Sequence, residues 1–330
     1  MTYIHLVVGM AMLLTGAANL VDATVAIARR TRISLLVLAA IVVGLSATEL
    51  YISLSMAITG KGDMSIGNVI GSNLCNNMMV VGIVALICSF RVTSANLRRD
   101  IPFSFVATLV VMLLCLDFLT GDGGIAGIDR IDGIVLLVVY ALYVGYIAMK
   151  TRRAEITRAG GGIDPPAGDD YLSTPDTFYT GKPLKLLVPS AIVALAVLLV
   201  GGDMMLDAVI EIAHEMGVSE KAIAITVMSI GKTLPEIATC SIAAYKRVPQ
   251  VALANVFAEN VYNMLVILGI AALARPIVVE QVDIMDFSIL LLGAALTTFF
   301  AFVSPRKRIG KPEGATLLLI YVTYIVWLFI

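Results

Sequence analysis

The sequence predicts an all-α polytopic membrane protein of ten transmembrane helices, arranged as two inverted five-helix repeats. Three observations carry this expectation. The 330 residues are 59% hydrophobic and only 14% charged, with a mean hydropathy of +0.95; a soluble chain of this size needs far more charge on its surface. Apolar runs of about 17–25 residues, the length a bilayer core demands, recur from end to end. Finally, residues 44–83 align without a gap to residues 231–270, and each lies in a half with five apolar runs.

Turn and charge clusters mark the boundaries of the spans, which are expected at 3–28, 33–59, 64–90, 102–120 and 130–149, then at 185–213, 219–245, 250–274, 285–303 and 315–330. ARRTR closes the first span, GKGD the second, RVTSANLRRD the third and GDGGIAGIDR the fourth. The stretch over 150–184, rich in Gly, Pro and Asp, reads as a flexible cytoplasmic linker, too short and too polar to fold as a regulatory domain. HEMGVSEK, YKRVPQ, RPIVVEQVD and PRKRIGKPEG punctuate the second half. The chain therefore divides into a first repeat over 1–149, the linker, and a second repeat over 185–330.

Charge sets the orientation. The first, third, fifth, seventh and ninth loops with their adjoining span edges hold 18 Lys and Arg, whereas the other four hold one each: Lys61, Arg130, Lys221 and Arg275. Positive residues stay inside, so the odd loops are cytoplasmic and both termini lie outside. The basic residues thus report topology and not nucleic-acid binding. The first run lacks a basic n-region and is followed by Arg29, Arg30 and Arg32, which favours a retained span over a cleaved signal peptide. Cys75, Cys88, Cys115 and Cys240 all lie in apolar runs without CxxC spacing; they read as small buried hydrophobes, not as a disulfide framework or metal cage.

One basic residue is left over, Lys232, stranded inside span 7 in the string SIGKTLPEI. Its GKT resembles the end of a phosphate-binding loop, but such a loop needs a glycine five positions before Gly231, where Thr226 stands. A nucleotide ligand is set aside.

The aligned segments share Gly44/Gly231, Glu49/Glu236, Asn68/Asn255, Asn73/Asn260, Asn76/Asn263 and four apolar or small positions. Greasy segments match by chance; a glutamate and three asparagines in register within membrane spans do not. An odd number of spans per half makes the second copy enter the membrane upside down, the pattern of secondary transporters whose ion site lies at the midplane. Glu49 and Glu236 fall about 25 Å into their spans at helical rise, far from any headgroup. A carboxylate there is costly and marks a function.

Glu49 and Glu236, backed by Asn68, Asn255, Ser46, Thr48 and Thr233, make an all-oxygen set suited to a hard cation such as Ca2+, and no soft Cys/His set accompanies them. The alternative is that protonated glutamates and hydrogen-bonded asparagines merely hold helices together. Gly44, Gly67, Gly71 and Gly231 would let helices break or approach closely.

GLSATEL followed by GNVIGSN, and GKTLPEI followed by ANVFAEN, resemble the two alpha-repeats of the cation/Ca2+ exchanger superfamily, in particular the prokaryotic type of the sodium/calcium exchanger membrane family, with its G-T-S-x-P-E and G-N-x-x-G-S-N motifs. GAANLVDATVAIA in span 1 and GGDMMLDAVIEIA in span 6 resemble the sliding helices that precede each repeat. The resemblance implies ten helices and alternating access, with Ca2+ exported against entering Na+. It implies that Glu49 and Glu236 are the shared Ca2+ and Na+ ligands, with Asn68 and Asn255 beside them and Ser46 and Thr233 as secondary ligands. Ca2+ and Na+ enter as transported ions; no cofactor is implied.

The chain departs from that pattern at three places: Leu45 and Lys232 stand where the family has Thr, and Glu259 where it has Ser. Lys232 and Glu259 fall one turn outside the expected ligand level on adjacent spans. They are expected to pair, the ammonium taking the place of an external Na+, unless they only brace two helices. Pairing would lower the Na+ stoichiometry or let protons replace Na+, because closely spaced buried carboxylates titrate as a set. Asp22, Asp203 and Asp207 read as a wet cavity face or packing more than as ligands. Asp117, Asp122, Asp129 and Asp132 could draw cations to the outer end or simply be solvated. The expectation is a divalent-cation antiporter in a prokaryotic plasma membrane; an H+-coupled exchanger of the same fold and an uncoupled channel or scaffold are the rivals. An enzyme is disfavoured, since no nucleophile–base pair appears.

Overall fold

The computed structural model describes residues 2–31, 47–92, 97–115, 127–159, 176–217, 231, 233–278, 284–303 and 308–327. The first half builds α1 (Thr2–Thr31), α2 (Ala47–Ile58), α3 (Gly62–Leu74), α4 (Val81–Ile87), α5 (Leu97–Cys115) and α6 (Arg130–Ala159). The second builds α7 (Leu184–Glu215), α8 (Leu234–Tyr245), α9 (Pro249–Tyr262), α10 (Leu268–Ala274), α11 (Ile284–Phe302) and α12 (Lys311–Trp327). α3 and α4 are one rod joined by a π-helical stretch over Cys75–Val80, and α9 and α10 are joined likewise over Asn263–Ile267. The described parts of the ten expected spans are therefore helical. α6 runs ten residues beyond the expected end of its span, and residues 176–183 carry a turn that docks on α1, with Asp176 2.9 Å from Arg29 and the Tyr179 hydroxyl donating to Asn19.

The inverted relationship shows in local detail. The α2–α3 and α8–α9 turns close alike: Gly60 and Arg247 both have positive φ, and Lys61 N and Val248 N each donate back to a carbonyl five residues earlier. The Asp129 amide donates to Asp132 at the start of α6, and the Gly310 amide to Glu313 at the start of α12. Tyr143 donates to Asp100 between α6 and α5, and Tyr324 to Asp286 between α12 and α11.

Packing then exchanges elements between halves. β1 (Phe90–Arg91), after α4, pairs antiparallel with β4 (Arg308–Ile309), before α12; β2 (Gly127–Ile128), before α6, pairs with β3 (Ile277–Val278), after α10. α12 lies against α4 where Gly314 meets the Gly82 carbonyl, and α6 lies against α10 where Gly133 meets the Gly269 carbonyl; a Cβ at Gly314 or Gly133 would stand 2.7 or 2.8 Å from that oxygen. Each half thus lends its last helix to the other, and removal of apolar surface at these crossings ties the halves into one core.

α1 and α7 form a separate layer. Gly9 and Gly16 of α1 and Gly201 of α7 bring the two backbones together, and their apolar faces share a second hydrophobic cluster with Ala238 of α8. Tyr3, Ile4 and Val7 of α1, Ile192 and Val193 of α7, and Leu142 of α6 stay exposed on the rim. Such apolar surface suits lipid, and among the described residues six helical stretches are long and apolar enough to span a bilayer.

Candidate functional site

α2 and α8 are equivalent helices of the two halves, and each carries a glutamate in its first described turn, Glu49 and Glu236. The start of α8 is a break inside a span. Thr233 leaves helical geometry at φ −95, ψ 4, its carbonyl accepts from the Ile237 amide at 2.9 Å, and Pro235 occupies the first turn, where its missing N–H costs nothing. A helix N-terminus within the bundle presents free amides and a partial positive charge, a favourable setting for the Glu236 carboxylate. The Glu49 and Glu236 carboxylates lie within electrostatic reach of one another. Oε2 of Glu236 is fully enclosed and accepts no hydrogen bond from the described residues.

The α3 and α9 rods meet near the start of their π-helical stretches, and buried asparagines hold them together. Asn260 donates to Asn77 Oδ1 at 2.9 Å, Asn263 donates to Ser72 Oγ at 2.9 Å and to Asn73 Oδ1 at 3.1 Å, and Asn73 donates to the Asn260 carbonyl at 3.2 Å. Every one of these bonds joins the first half to the second. A π turn inserts a residue into the helix and frees carbonyls, a device concentrated at functional sites. The network is incomplete: Oδ1 of Asn76, Asn260 and Asn263 are buried with no donor among the described residues. Buried oxygens without donors are costly, and a cation or a water would satisfy them. Among the described residues no three His, Cys, Asp or Glu gather into a metal cage. A cation here would draw on amide and hydroxyl oxygens as well as carboxylates, the ligand mix that hard cations accept.

Thr233 is buried at the mouth of the break, 3.2 Å from the Cys75 sulfur. Asn68 is half-buried on α3 and donates to Ser53 Oγ at 3.0 Å. Thr48 and Asn255 lie on α2 and α9, with side chains outside the description. Ser46 and Lys232 fall outside the described residues, so the expected contact of Lys232 with Glu259 is not placed. Glu259 is deeply buried on α9, and Cys75 lies in the field of both Glu236 and Glu259. Gly67 and Gly71 stay exposed, with no described atom within 4 Å of where a Cβ would stand.

Sequence reasoning chose Asn68 and Asn255 and passed over Asn73, Asn76, Asn260 and Asn263 as site residues. The signal was present: both latter pairs are identical at equivalent positions of the two halves. Among the other acids, Asp22 takes Lys246 Nζ at 2.6 Å, Asp129 and Asp132 cap α6, and Asp203 and Asp207 are exposed; Asp117 and Asp122 lie outside the described residues.

Comparison with known proteins supplies the family. Inner membrane protein YrbG of Escherichia coli (strain K12) is 28% identical over 326 residues, covering 98% of this chain and 94% of that protein. Sodium/calcium exchanger MaX1 of Methanosarcina acetivorans is 22% identical over 349 residues, 99% of this chain and 98% of its own length. A solved structure of the sodium-calcium exchanger NCX_Mj superposes with a TM-score of 0.77 at 23% identity, over 98% of this chain and 97% of that one, which establishes the shared fold. Residues 1–149 and 187–330 match the family described as sodium/calcium exchanger protein. The family match covers both halves of the chain, each with a glutamate at the equivalent position, and this chain belongs to the sodium/calcium exchanger family.

Proposed function

We propose that this protein is a secondary antiporter exchanging Ca2+, or a similar divalent cation, for Na+ by alternating access, with Glu49 and Glu236 as ligands shared by both ions. The observation that supports the reading is the electrostatic contact of these two carboxylates, one from each inverted half, together with buried oxygens that have no donor among the described residues. Two carboxylates balance one divalent ion. Na+ ions that occupy the same oxygens exclude Ca2+, and mutual exclusion at one site is what couples two gradients. Membership of the family supports the ion pair, and the relative MaX1 carries the name of a sodium/calcium exchanger. The α1–α7 layer, joined by close glycine contacts and holding its own apolar cluster, is the element suited to shift against the core and open the site to one side and then the other. The loop asymmetry in Lys and Arg supports outside termini, a cytoplasmic central loop and residence in a prokaryotic plasma membrane.

The test is uptake of radiolabelled Ca2+ into proteoliposomes under imposed Na+ and pH gradients, with Glu236→Gln as the inactive control. Uptake that follows the Na+ gradient is expected. Uptake down the Ca2+ gradient with no counter-ion would overturn exchange. One observation favours a second reading, H+ coupling: Glu259 is a third deeply buried carboxylate, and it and Glu236 both act on Cys75. Uptake driven by pH with no Na+ present would select it.

A further inference from the structure

A groove of 420 Å3 runs along the seam of α1 and α7. On α7 its wall falls at Leu186, Pro189, Val193 and Val197, one stripe of the helix, and on α1 at Thr15 and Asn19. The α7 stripe is about 16 Å long at helical rise, about half of a hydrocarbon core ~30 Å thick, so the groove belongs to one leaflet. Val193 is 62% exposed, and the groove opens on the apolar rim of the outer layer. Its hydroxyl groups are already engaged. Thr15 Oγ1 donates to the Ala11 carbonyl at 2.7 Å, Ser190 Oγ to the Leu186 carbonyl at 2.7 Å, and the Tyr179 hydroxyl to Asn19 Oδ1 at 3.1 Å. Each hydroxyl has one proton to give, so the groove suits an apolar chain better than a polar solute.

The end of the groove at the start of α7 has a different character. Tyr179 lines it, and Lys182 Nζ stands 3.5 Å from the centre of the Phe178 ring and 5.0 Å from that of Tyr179. Lys185 is exposed in the first turn of α7, one turn before Pro189 on the same stripe. Across this segment and the adjoining ends of α1 and α7, Arg29, Arg30, Lys182 and Lys185 stand against Asp176, which Arg29 holds at 2.9 Å. Aromatic rings with lysines beside them are the composition of a membrane–water interface. An apolar slot one leaflet deep therefore ends in an excess of positive charge at headgroup level.

We propose that this groove is a binding site for one anionic phospholipid, with an acyl chain along the α7 stripe and the phosphate at Lys182 and Lys185. Charge complementarity selects the headgroup. Lysine ammonium groups take a phosphate as point charges, whereas a zwitterionic headgroup brings its own cation to the same place. The inference needs residence in a membrane and not the exchange reading, so the two stand or fall separately.

The experiment is native mass spectrometry of the delipidated full chain in detergent, titrated with dioleoyl phosphatidylglycerol or dioleoyl phosphatidylcholine, which share their acyl chains. Phosphatidylglycerol is expected to bind about 20-fold more tightly, about fivefold for each lysine. Lys182→Gln combined with Lys185→Gln should remove that difference and leave phosphatidylcholine unchanged. Val193→Trp, which fills the groove, should abolish the tight binding event. Ile192→Trp, at an equally exposed position outside the groove, should preserve it. Equal affinity for the two lipids, unchanged affinity in the double lysine variant, or equal losses in the two tryptophan variants would each overturn the inference. If Val193→Trp unfolds in detergent, Ser190→Leu narrows the same groove: weaker phosphatidylglycerol binding supports the site and no change overturns it. Displacement of the lipid by an equal concentration of glycerol 3-phosphate would place recognition in the headgroup alone and overturn the groove. Glu236→Gln should retain the lipid as the wild type does. Lipid retention without Na+-driven uptake in the wild type sinks the exchange reading alone, and uptake without selective retention sinks this inference alone.

Discussion

Lys246 Nζ stands 2.6 Å from Asp22 Oδ1 and also donates to the Ala18 carbonyl at 3.1 Å, fastening the end of α8 to the middle of α1. Both side chains are partly shielded, at 31% and 17% exposure, so the pair is worth more than a surface ion pair and less than a fully buried one. Because α1 belongs to the outer layer and α8 packs in the core, the bond joins the two bodies that the proposed alternating access would shift against each other. Lys246→Met should destabilise this arrangement by about 1–2 kcal/mol. Lys246→Met with Asp22→Asn should recover part of the loss, since no lone charge remains. Thermal unfolding of the four proteins in detergent gives the coupling directly; purely additive effects would mean that the pair holds nothing.

The carboxylate pair yields the sharpest functional expectation. Glu49→Gln and Glu236→Gln keep shape and remove charge. A contact to a charged group contributes about 1.5–3 kcal/mol, so Ca2+ affinity should fall by about 10- to 150-fold in each. Equal losses in the two variants would follow from their equivalent places in the inverted halves. A loss confined to one would mean that the site belongs to a single repeat.

Asn263 makes two bonds across the halves, to Ser72 and Asn73, and has an oxygen to spare. Asn263→Leu strips both partners of their donor inside a closed core. It should lower stability by about 2–3 kcal/mol and weaken ion binding together. Loss of stability with full ion affinity would assign Asn263 to the scaffold only, read from unfolding and binding on one sample.

Arg247 adopts φ 61, where its counterpart in the other half is Gly60. A left-handed conformation costs a residue with a Cβ about 1–2 kcal/mol. Arg247→Gly should therefore raise the unfolding midpoint, by a gain of about 1 kcal/mol, offset in part by the greater freedom of glycine when unfolded. Gly60→Ala should do the reverse, with the Arg275 guanidinium crowding the new methyl at 2.9 Å.

Lys232 and Glu259 are the residues on which the choice of counter-ion can be tested. If Lys232 occupies the place of a Na+, Lys232→Thr should increase the number of Na+ ions per Ca2+, seen as a steeper Na+ dependence of Ca2+ uptake. Glu259→Gln should weaken any pH-driven component, because it removes a buried carboxylate able to carry a proton. An unchanged Na+ dependence in Lys232→Thr would remove Lys232 from the coupling.

Much of the fold is a property of the sequence alone. Apolar run length determined the spans, since a bilayer accepts no other spanning solution for a chain of this kind. The match of Glu49 with Glu236 across two odd-numbered sets of spans determined the inversion. These are local signals: each is read within one segment or by sliding one segment on another.

What only the tertiary structure decided is which residues meet. The exchange of α6 and α12 between halves, the short strands that seal it, and the asparagine crossing all join residues more than 130 positions apart. The aligned halves named Asn68 and Asn255 beside the glutamates, and the structure adds Asn73, Asn76, Asn260 and Asn263 near the crossing. Equivalence of the halves does not say which of these asparagines face the opposite rod, because the rods carry π-helical stretches from Cys75 and from Asn263 onwards. One inserted residue turns everything beyond it by about 100°, which carries a side chain to a different face. Sequence periodicity gives the depth of a residue in the membrane, while the side it faces depends on where the helix departs from 3.6 residues per turn and on what crosses it there.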